Sequence, residues 1–587
     1  MATTPFPETA LAPRWAWLPA PGSVRYYLLL GAVGILILGP LGGVAASYMN
    51  FSLGFFVGGQ VLAGILGSTV TFGYGAQGRH GANYIQTTAA SVAGMSAMGV
   101  VIQAMTWLGL PQPPMWQLML YMLCIGMFGV GVGMLYTPVL VDRLQLTFPS
   151  GLAVANILRA LTDPVLLKQS VSRLFGGMAL GAAGGIGAAK TEFLGRIDLS
   201  TSTFGAGMIV GARIGIAALV GGLVGWSLIP YFVSIGWLKP GEPFRKITFL
   251  IALGMILGAA LIDVSLILYR AYQRARQTKA EKPVEQEDWK RTNVGRLIAW
   301  VIFWAIGIVV VGSQVLQQPV GYLIFAVLLT FVFAMVNGIS VGIVDQNPIS
   351  SAFVVTVILM AATVLLVSTS EACDMQQDRS TGWRLGTNRT IQFRFQVAGI
   401  VMGAIMAVVF AKLFMSAYPV LLLDQTTLPA DQQPAKWASA MTYKFVGALR
   451  SLTEDKPYQR TAIWIGVGIG FLTEVLRKII KSREAYKRWV NSGKVGFTGD
   501  FLLDAIVLPS PYASSFGGFV NLPTSAWFAA GGALSSFVNS LPKPKDKGAA
   551  LPEDMNTTSL VGGGLIAGDA LAALGLGVAG LLATLLS

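Results

Sequence analysis

Charge is what this sequence has least of. Only 12% of its 587 residues are Asp, Glu, Lys or Arg, against about 25% in an ordinary soluble protein. So few polar groups could not cover the surface of a water-soluble globule of this length, and that class is excluded. Cysteine is as scarce: Cys124 and Cys373 both lie in or beside apolar segments, which excludes a disulfide framework and a Cys-ligated metal cluster. The single histidine, His80, adjoins Arg79 in an expected loop, so no His/Cys set has zinc-ligand spacing and no metal site is expected. P-loop, GxSxG and HExxH patterns are missing too, which removes the usual signatures of nucleotide-driven pumps and hydrolases. The Pro-rich start, MATTPFPETALAPRWAWLPAPGS, lacks a charged-then-apolar pattern. It is read as an N-terminal cytoplasmic tail, 1–23, and not as a cleaved signal peptide.

What fills the sequence is apolar. Hydrophobic residues make up 54% and glycines number 70. Glycine suits the close approach of helix backbones in lipid, where no hydrophobic force drives them together. A spanning helix needs about 20 mainly apolar residues. Runs meeting or nearing that length are 24–48, 51–74, 83–108, 115–138, 170–190, 204–235 and 247–269, then 298–314, 320–337, 349–368, 391–417, 460–480, 514–540 and 560–585. Two shorter stretches, 148–162 and 437–452, carry Arg159 and Lys444 and read as amphipathic or re-entrant. The fold class is therefore all-α, a polytopic integral membrane protein of about 14–16 transmembrane helices in two homologous halves.

The net charge of +14 is gathered in short clusters between the runs, the pattern of Lys and Arg kept on the cytoplasmic side of a membrane. A nucleic-acid surface is the rejected reading. Loop 270–296 holds eight Lys or Arg against four acids, and 477–494 (RKIIKSREAYKRWVNSGK) is similarly basic; both are expected to face the cytoplasm. The loop separates a first repeat, 24–269, from a second, 297–587. LRALTD (158–163) recurs as LRSLTE (449–454), PVLVD (138–142) as PVLLLD (419–424), VAG (92–94) at 397–399, and FGAG (204–207) as FGGF (516–519). Matches of VAG length carry little weight; the ordered set carries the inference of a duplication. An even number of segments per half would make the repeats parallel. Duplicated membrane folds commonly place the substrate path where discontinuous helices of the repeats meet.

Breaks in a helix at membrane depth persist only where they are buried or line a watery cavity. NGISVGIVDQNPIS (337–350) combines Pro348 with Asp345 and Asn347; the alternative is an ordinary Asn-Pro turn. In STSEACDMQQDRSTGWRLGTNR (368–389), Asp374 and Asp378 are spaced i, i+4 and would share one helix face. Close carboxylates repel, which makes a proton site of the pair; the alternative is a solvated connection with Arg379, Arg384 and Arg389 as counter-ions. Asp345, Asp374 and Asp378 are the candidate proton-coupling residues. Candidate substrate-binding residues are Asn83, Gln86 and Thr87 in GANYIQTTAASVAG, Asn156 in FPSGLAVANILRAL, Asn347, Gln376 and Asn521. Arg213, a charge inside a long apolar run, joins them and requires a carboxylate partner. Asp263, Glu474 and Asp569 are further acids in apolar runs, Glu474 within reach of Arg477 or Lys478.

At these motifs the sequence resembles the oligopeptide transporter superfamily, which includes the yellow-stripe-like metal-chelate transporters, and looks like a bacterial-type member. NYIQTTAASVAG (83–94), LQLTFPSGLAVANIL (144–158), FGAGMIVGARIGIAALVGGLVGW (204–226), GIVDQNPIS (342–350), CDMQQDRSTGWRLG (373–386) and GGGLIAGDAL (562–571) carry the resemblance, in order, over nearly the whole chain. It implies a secondary transporter, generally proton-driven, that imports short peptides, peptide-like compounds or metal chelates, in about sixteen helices arising by duplication. It implies no cofactor beyond the proton as coupling ion, a multi-pass place in the bacterial inner membrane, and is compatible with a homodimer. Peptide-transporting eukaryotic members carry NPG where this chain has Asn347-Pro348-Ile349, which keeps metal chelates open. A channel would favour repeated short filters in identical subunits. A membrane enzyme would need a nucleophile clustered with its base, and no such set is visible.

Overall fold

The computed structural model describes residues 17–52, 60–162, 164–197, 199–242, 244–277, 287–344, 359–428, 437, 439, 441–443, 445–446, 457–541 and 556–586. Among them the regular elements are all helical. In chain order they are α1 (Val24–Ala32), α2 (Gly39–Ser52), α3 (Gln60–Thr71), α4 (Gly78–Ala97), α5 (Val100–Trp107), α6 (Met115–Thr137), α7 (Pro149–Thr162), α8 (Pro164–Lys190), α9 (Glu192–Arg196), α10 (Thr201–Val210), α11 (Ala212–Ser227), α12 (Ile229–Ser234) and α13 (Arg245–Gln277). There follow α14 (Val294–Val310), α15 (Val320–Val344), α16 (Leu359–Leu385), α17 (Arg389–Ala417), α18 (Pro457–Ser482), α19 (Glu484–Val490), α20 (Lys494–Leu502), α21 (Pro511–Phe519), α22 (Leu522–Ser540) and α23 (Thr557–Leu586).

Eight helical stretches among the described residues are long and apolar enough to cross a membrane, from Val24–Val44 to Arg389–Ala417. Helices α8, α16, α18 and α23 each have 26 residues or more, about 40 Å of rise, enough for a hydrocarbon core about 30 Å thick. Helix α14 shows which side meets lipid: Ile298, Ile302, Phe303, Ile306 and Val310 are exposed, while Leu297, Val301 and Ile308 are buried. An apolar outer stripe of this size has no place in water. This is a multi-pass membrane protein.

Glycine sets how the helices meet. A Cβ at Gly177 or Gly181 of α8 would run into the carbonyls of Val561 and Leu565 on α23, and one at Gly564 or Gly568 of α23 into those of Leu174 and Met178 on α8. Helices α13 and α18 repeat the arrangement: Gly254 and Gly258 face the Ile463 and Val467 carbonyls, Gly466 and Gly470 those of Ile251 and Met255. Gly207 on α10 meets Phe528 on α22 while Gly531 meets Phe204; Gly221 on α11 meets Ser514 on α21 while Gly517 meets Ala218. Only glycine allows backbone to lie on backbone at this separation. In each pair one helix precedes the basic loop and its partner follows it.

Several runs that read as single spans are interrupted. The run 204–235 becomes α10, α11 and α12, broken at Gly211, whose φ of +87° suits glycine alone. The run 514–540 breaks at Val520 and Asn521 between α21 and α22, where Pro523 cannot continue a helix from before it. The stretch 148–162 is a buried helix, α7. His80 is not in a loop; it lies in the first turn of α4.

Candidate functional site

The most polar interior lies where α4, α16 and α17 meet. Helix α4 is buried almost throughout, Asn83, Gln86, Thr87, Thr88 and Ser91 included. A helix enclosed on all sides must satisfy its polar side chains within the protein. Some are satisfied by their own backbone: Ser91 donates to the Thr87 carbonyl at 2.9 Å, and Thr88 to Tyr84 at 3.0 Å. Others reach across. Gln86 Nε2 donates to Asp378 Oδ1 on α16 at 2.8 Å. Gln392 Nε2 on α17 donates to Thr87 Oγ1 and to the Asp378 carbonyl, both at 2.9 Å. One amide thereby ties the three helices together.

Helix α16 holds the charge. The stretch 368–385, which the sequence left open as a connection, is helical and largely buried. Glu371, Asp374 and Asp378 follow each other at i, i+3 and i+7 on one face. Glu371 is fully buried with neither oxygen hydrogen-bonded, Asp378 is buried with Oδ2 free, and Asp374 is half-buried. Gly94 of α4 lies opposite; a Cβ there would stand 2.9 Å from Asp374 Oδ2 and 3.4 Å from Glu371 Oε1. Arg379, also fully buried, donates to Gln396 Oε1 at 3.2 Å and to the Arg389 carbonyl at 3.3 Å. Beyond the end of α16, Arg389, the first residue of α17, forms a two-pronged pair with Asp142, at 2.6 and 3.0 Å, and His80 Nδ1 lies 3.0 Å from Thr387 Oγ1.

The expected residues therefore divide. Gln86, Thr87, Asp374 and Asp378 come together, with Asn83 beside them: its Nδ2 stands 3.5 Å from where a Cβ on Gly382 would be, and both its polar atoms lack hydrogen bonds. Gln376 is buried on α16 and donates to the Ala334 carbonyl at 3.4 Å, with Oε1 against Gly338. Asn156 is buried on α7. Asn521 caps α22, accepting from Thr524 N at 3.3 Å and from the Thr524 hydroxyl. Asp345 and Asn347 lie outside the described residues.

Arg213 stands elsewhere, in an ion-pair network. Its Nη1 lies 2.6 Å from Asp500 and 2.5 Å from Asp504, so the partner it requires is a pair of carboxylates. Asp504 also receives Lys481 at 2.5 Å and has Arg477 at 3.0 Å. Lys478 joins Asp263 at 2.7 Å to Glu474 at 2.9 Å, and Tyr512 donates to Asp263 at 3.0 Å. Asp569 accepts from Ser202 N at 3.0 Å, near the start of α10.

Sequence reasoning missed Glu371, Gln392, Gln396, Asp500 and Asp504, and had Arg379 only as a counter-ion in a solvated connection. Glu371 carried a signal, being in phase with the aspartates at helical spacing. Asp500 and Asp504 are i, i+4 as well, in FTGDFLLDAIV. Gln392 and Gln396 carried none beyond being amides at the edge of an apolar run. Among the described residues no group of three His, Cys, Asp or Glu is placed to hold a bare metal ion.

This buried polar seam belongs to a chain whose sequence matches a known family along most of its length. The family described as OPT oligopeptide transporter protein matches residues 26–186 and 165–579. The chain belongs to that family. Two relatives of this OPT protein carry names. One is the "Probable metal-nicotianamine transporter YSL8" of Oryza sativa subsp. japonica, 23% identical over 390 residues, 54% of this chain and 56% of the rice protein. Another is the "Putative oligopeptide transporter" of Haemophilus influenzae, 30% identical over 167 residues, 26% of each chain. The OPT chain thus aligns with about half of the rice protein and about a quarter of the bacterial one.

Proposed function

We propose that this OPT protein is a secondary active transporter that brings a small solute into a bacterial cell across the inner membrane, using protons as the coupling ion. The observation that carries the reading is the stripe Glu371, Asp374 and Asp378 on one face of α16, enclosed by α4 and α17. Isolated carboxylate charge inside a membrane protein is costly. A stripe of three, with unbonded oxygens and one half-open member, is suited to exchanging protons in step with a passing cation or amine. Asn83, Gln86 and Thr87 supply uncharged donors and acceptors of the kind a peptide bond or a chelate would need, and Gln376 offers a further amide on the α15 side of the same helix, α16. Two solutes fit. Short peptides or peptide-like compounds are the first; an intact metal chelate is the second, favoured by the name of the rice relative, since the chelator would supply the metal ligands that this site does not. Membership in a transporter family supports transport over catalysis. A homodimer is the oligomer we propose on the same grounds.

Uptake into proteoliposomes under an imposed pH gradient tests this, with di- to tetrapeptides and iron or copper chelates as solutes. One class should accumulate saturably, an uncoupler should abolish it, and Asp374→Asn should lower it by on the order of tenfold or more. Accumulation indifferent to the gradient would end the proton-coupled reading, and linear, unsaturable flux would point to a pore.

A further inference from the structure

Helix α8 is joined to α10 by residues 191–200, whereas α18 is joined to α21 by the much longer 483–510. The extra length holds α19, α20 and a π-helical turn, Leu503–Val507. None of these residues belongs to the polar seam. Their amphipathicity runs opposite to that of a helix facing water. Gly496, Asp500, Asp504 and Ala505 point inward and are buried, whereas Val495 is 80% exposed, Phe497 62% and Val507 71%, with Leu502 and Ile506 also outside. Carboxylates inside and large apolar groups outside describe a surface whose solvent is lipid.

Beside that face stands a cluster of cations. Helix α19 buries no residue; Lys487 and Arg488 are exposed on it, and Arg483 and Lys494 flank it, also exposed. Among the described residues only Lys487 of these four has a carboxylate partner, Glu484 at 2.7 Å. The hairpin holds its own shape: a Cβ at Gly499 would collide with the Trp489 indole, and the Tyr486 hydroxyl donates to Asp500 at 2.7 Å. Apolar side chains next to unpaired Lys and Arg match the boundary between acyl chains and anionic headgroups.

We propose that residues 483–507 form a binding element for anionic phospholipid, with Arg483, Lys487, Arg488 and Lys494 on headgroup phosphates and Val495, Phe497, Ile506 and Val507 in the acyl boundary. The opposite face of the same element grips Arg213 through Asp500 and Asp504, two residues beyond the break at Gly211. Bound lipid is therefore one short step from the point where α10 and α11 join. The proposal stands apart from the nature of the transported solute.

Both native cysteines are buried, so Phe497→Cys can carry an environment-sensitive fluorophore. The full-length protein would be placed in nanodiscs of phosphatidylcholine with spin-labelled phosphatidylglycerol or spin-labelled phosphatidylcholine at equal fraction. Blue-shifted emission is expected in both, with quenching by the anionic lipid on the order of tenfold more efficient at low mole fraction. Replacing Arg483, Lys487, Arg488 and Lys494 by Gln should equalise the two lipids while leaving the blue shift. Should that variant fail to fold, the comparison in the parent protein decides alone. Water-like emission, or equal quenching in the parent, overturns the proposal. A probe shielded from both lipids also overturns it and assigns the face to a second copy of the chain.

Discussion

Glu371 lies one turn from Asp374 and two from Asp378, enclosed and without a hydrogen bond to either oxygen. Removing an ionised carboxylate from water costs several kcal/mol unless a partner offsets it, so the stripe has reason to hold protons or recruit a positive charge. Glu371→Gln keeps the shape and removes the ionisable group. Its unfolding temperature should match or exceed the parent's, while gradient-driven uptake falls by on the order of tenfold. Parental uptake in a folded variant would take Glu371 out of the proton path. Gly94→Ala asks whether the space opposite the stripe is used: the added methyl should cut uptake severalfold with a stability cost within about 1–3 kcal/mol, read by thermal unfolding of the same preparation. At this scale the sequence disclosed residues whose spacing is self-evident, Asp374 with Asp378 and Gln86 with Thr87. It hid those whose meaning depends on what packs opposite. Gln392 looks like an ordinary amide until α17 is laid against α4 and α16, and Arg379 reads as a loop counter-ion until α16 is known to be helical.

At the scale of elements, glycine positions decide which helices can touch. Gly466→Leu would drive a side chain into the Ile251 carbonyl of α13; a loss of about 3 kcal/mol or more, or failure to fold, is expected. Gly468 of the same helix has open space around it, so Gly468→Leu should leave the unfolding temperature nearly unchanged, and equal effects would refute the packing account. The Arg213 network makes a prediction in pH. Burial alone would raise Asp500, but the Tyr486 hydroxyl, Arg213 and Lys481 outweigh it and hold its carboxyl below the usual range. Stability from that depression is complete above the ordinary carboxylate value and is lost as pH falls through the lowered one. Thermal unfolding from pH 7 to pH 3 should therefore fall more steeply in the parent than in Asp500→Asn. The sequence showed the long apolar runs well, because length and composition define a span. It did not show the breaks at Gly211 and Val520, since a lone glycine or an Asn-Leu-Pro step inside an apolar run is also found in unbroken helices.

For the whole molecule, we propose that 24–269 and 297–587 are repeats. The crossed pairing supports this: α8 with α23 is answered by α18 with α13, and α10 with α22 by α21 with α11. FGAG on α10 and FGGF on α21 fit that register, LRSLTE lies outside the described residues, and the VAG copies do not fit. PVLVD follows α6 and PVLLLD follows α17, whereas the VAG copies lie on α4 and α17, so VAG belongs to a different alignment and drops out. Composition sufficed for membrane residence and helical class, because lipid leaves so few architectures open. The arrangement of helices in three dimensions was not legible, since every span offers apolar side chains to lipid and neighbour alike. Where main chain rests directly on main chain, as along α8–α23 and α13–α18, no side-chain knob has to leave a socket before one helix can glide on the other. Such seams oppose separation more than sliding, and motion of one half against the other should follow the helix axes, as small shear displacements that keep the membrane sealed throughout.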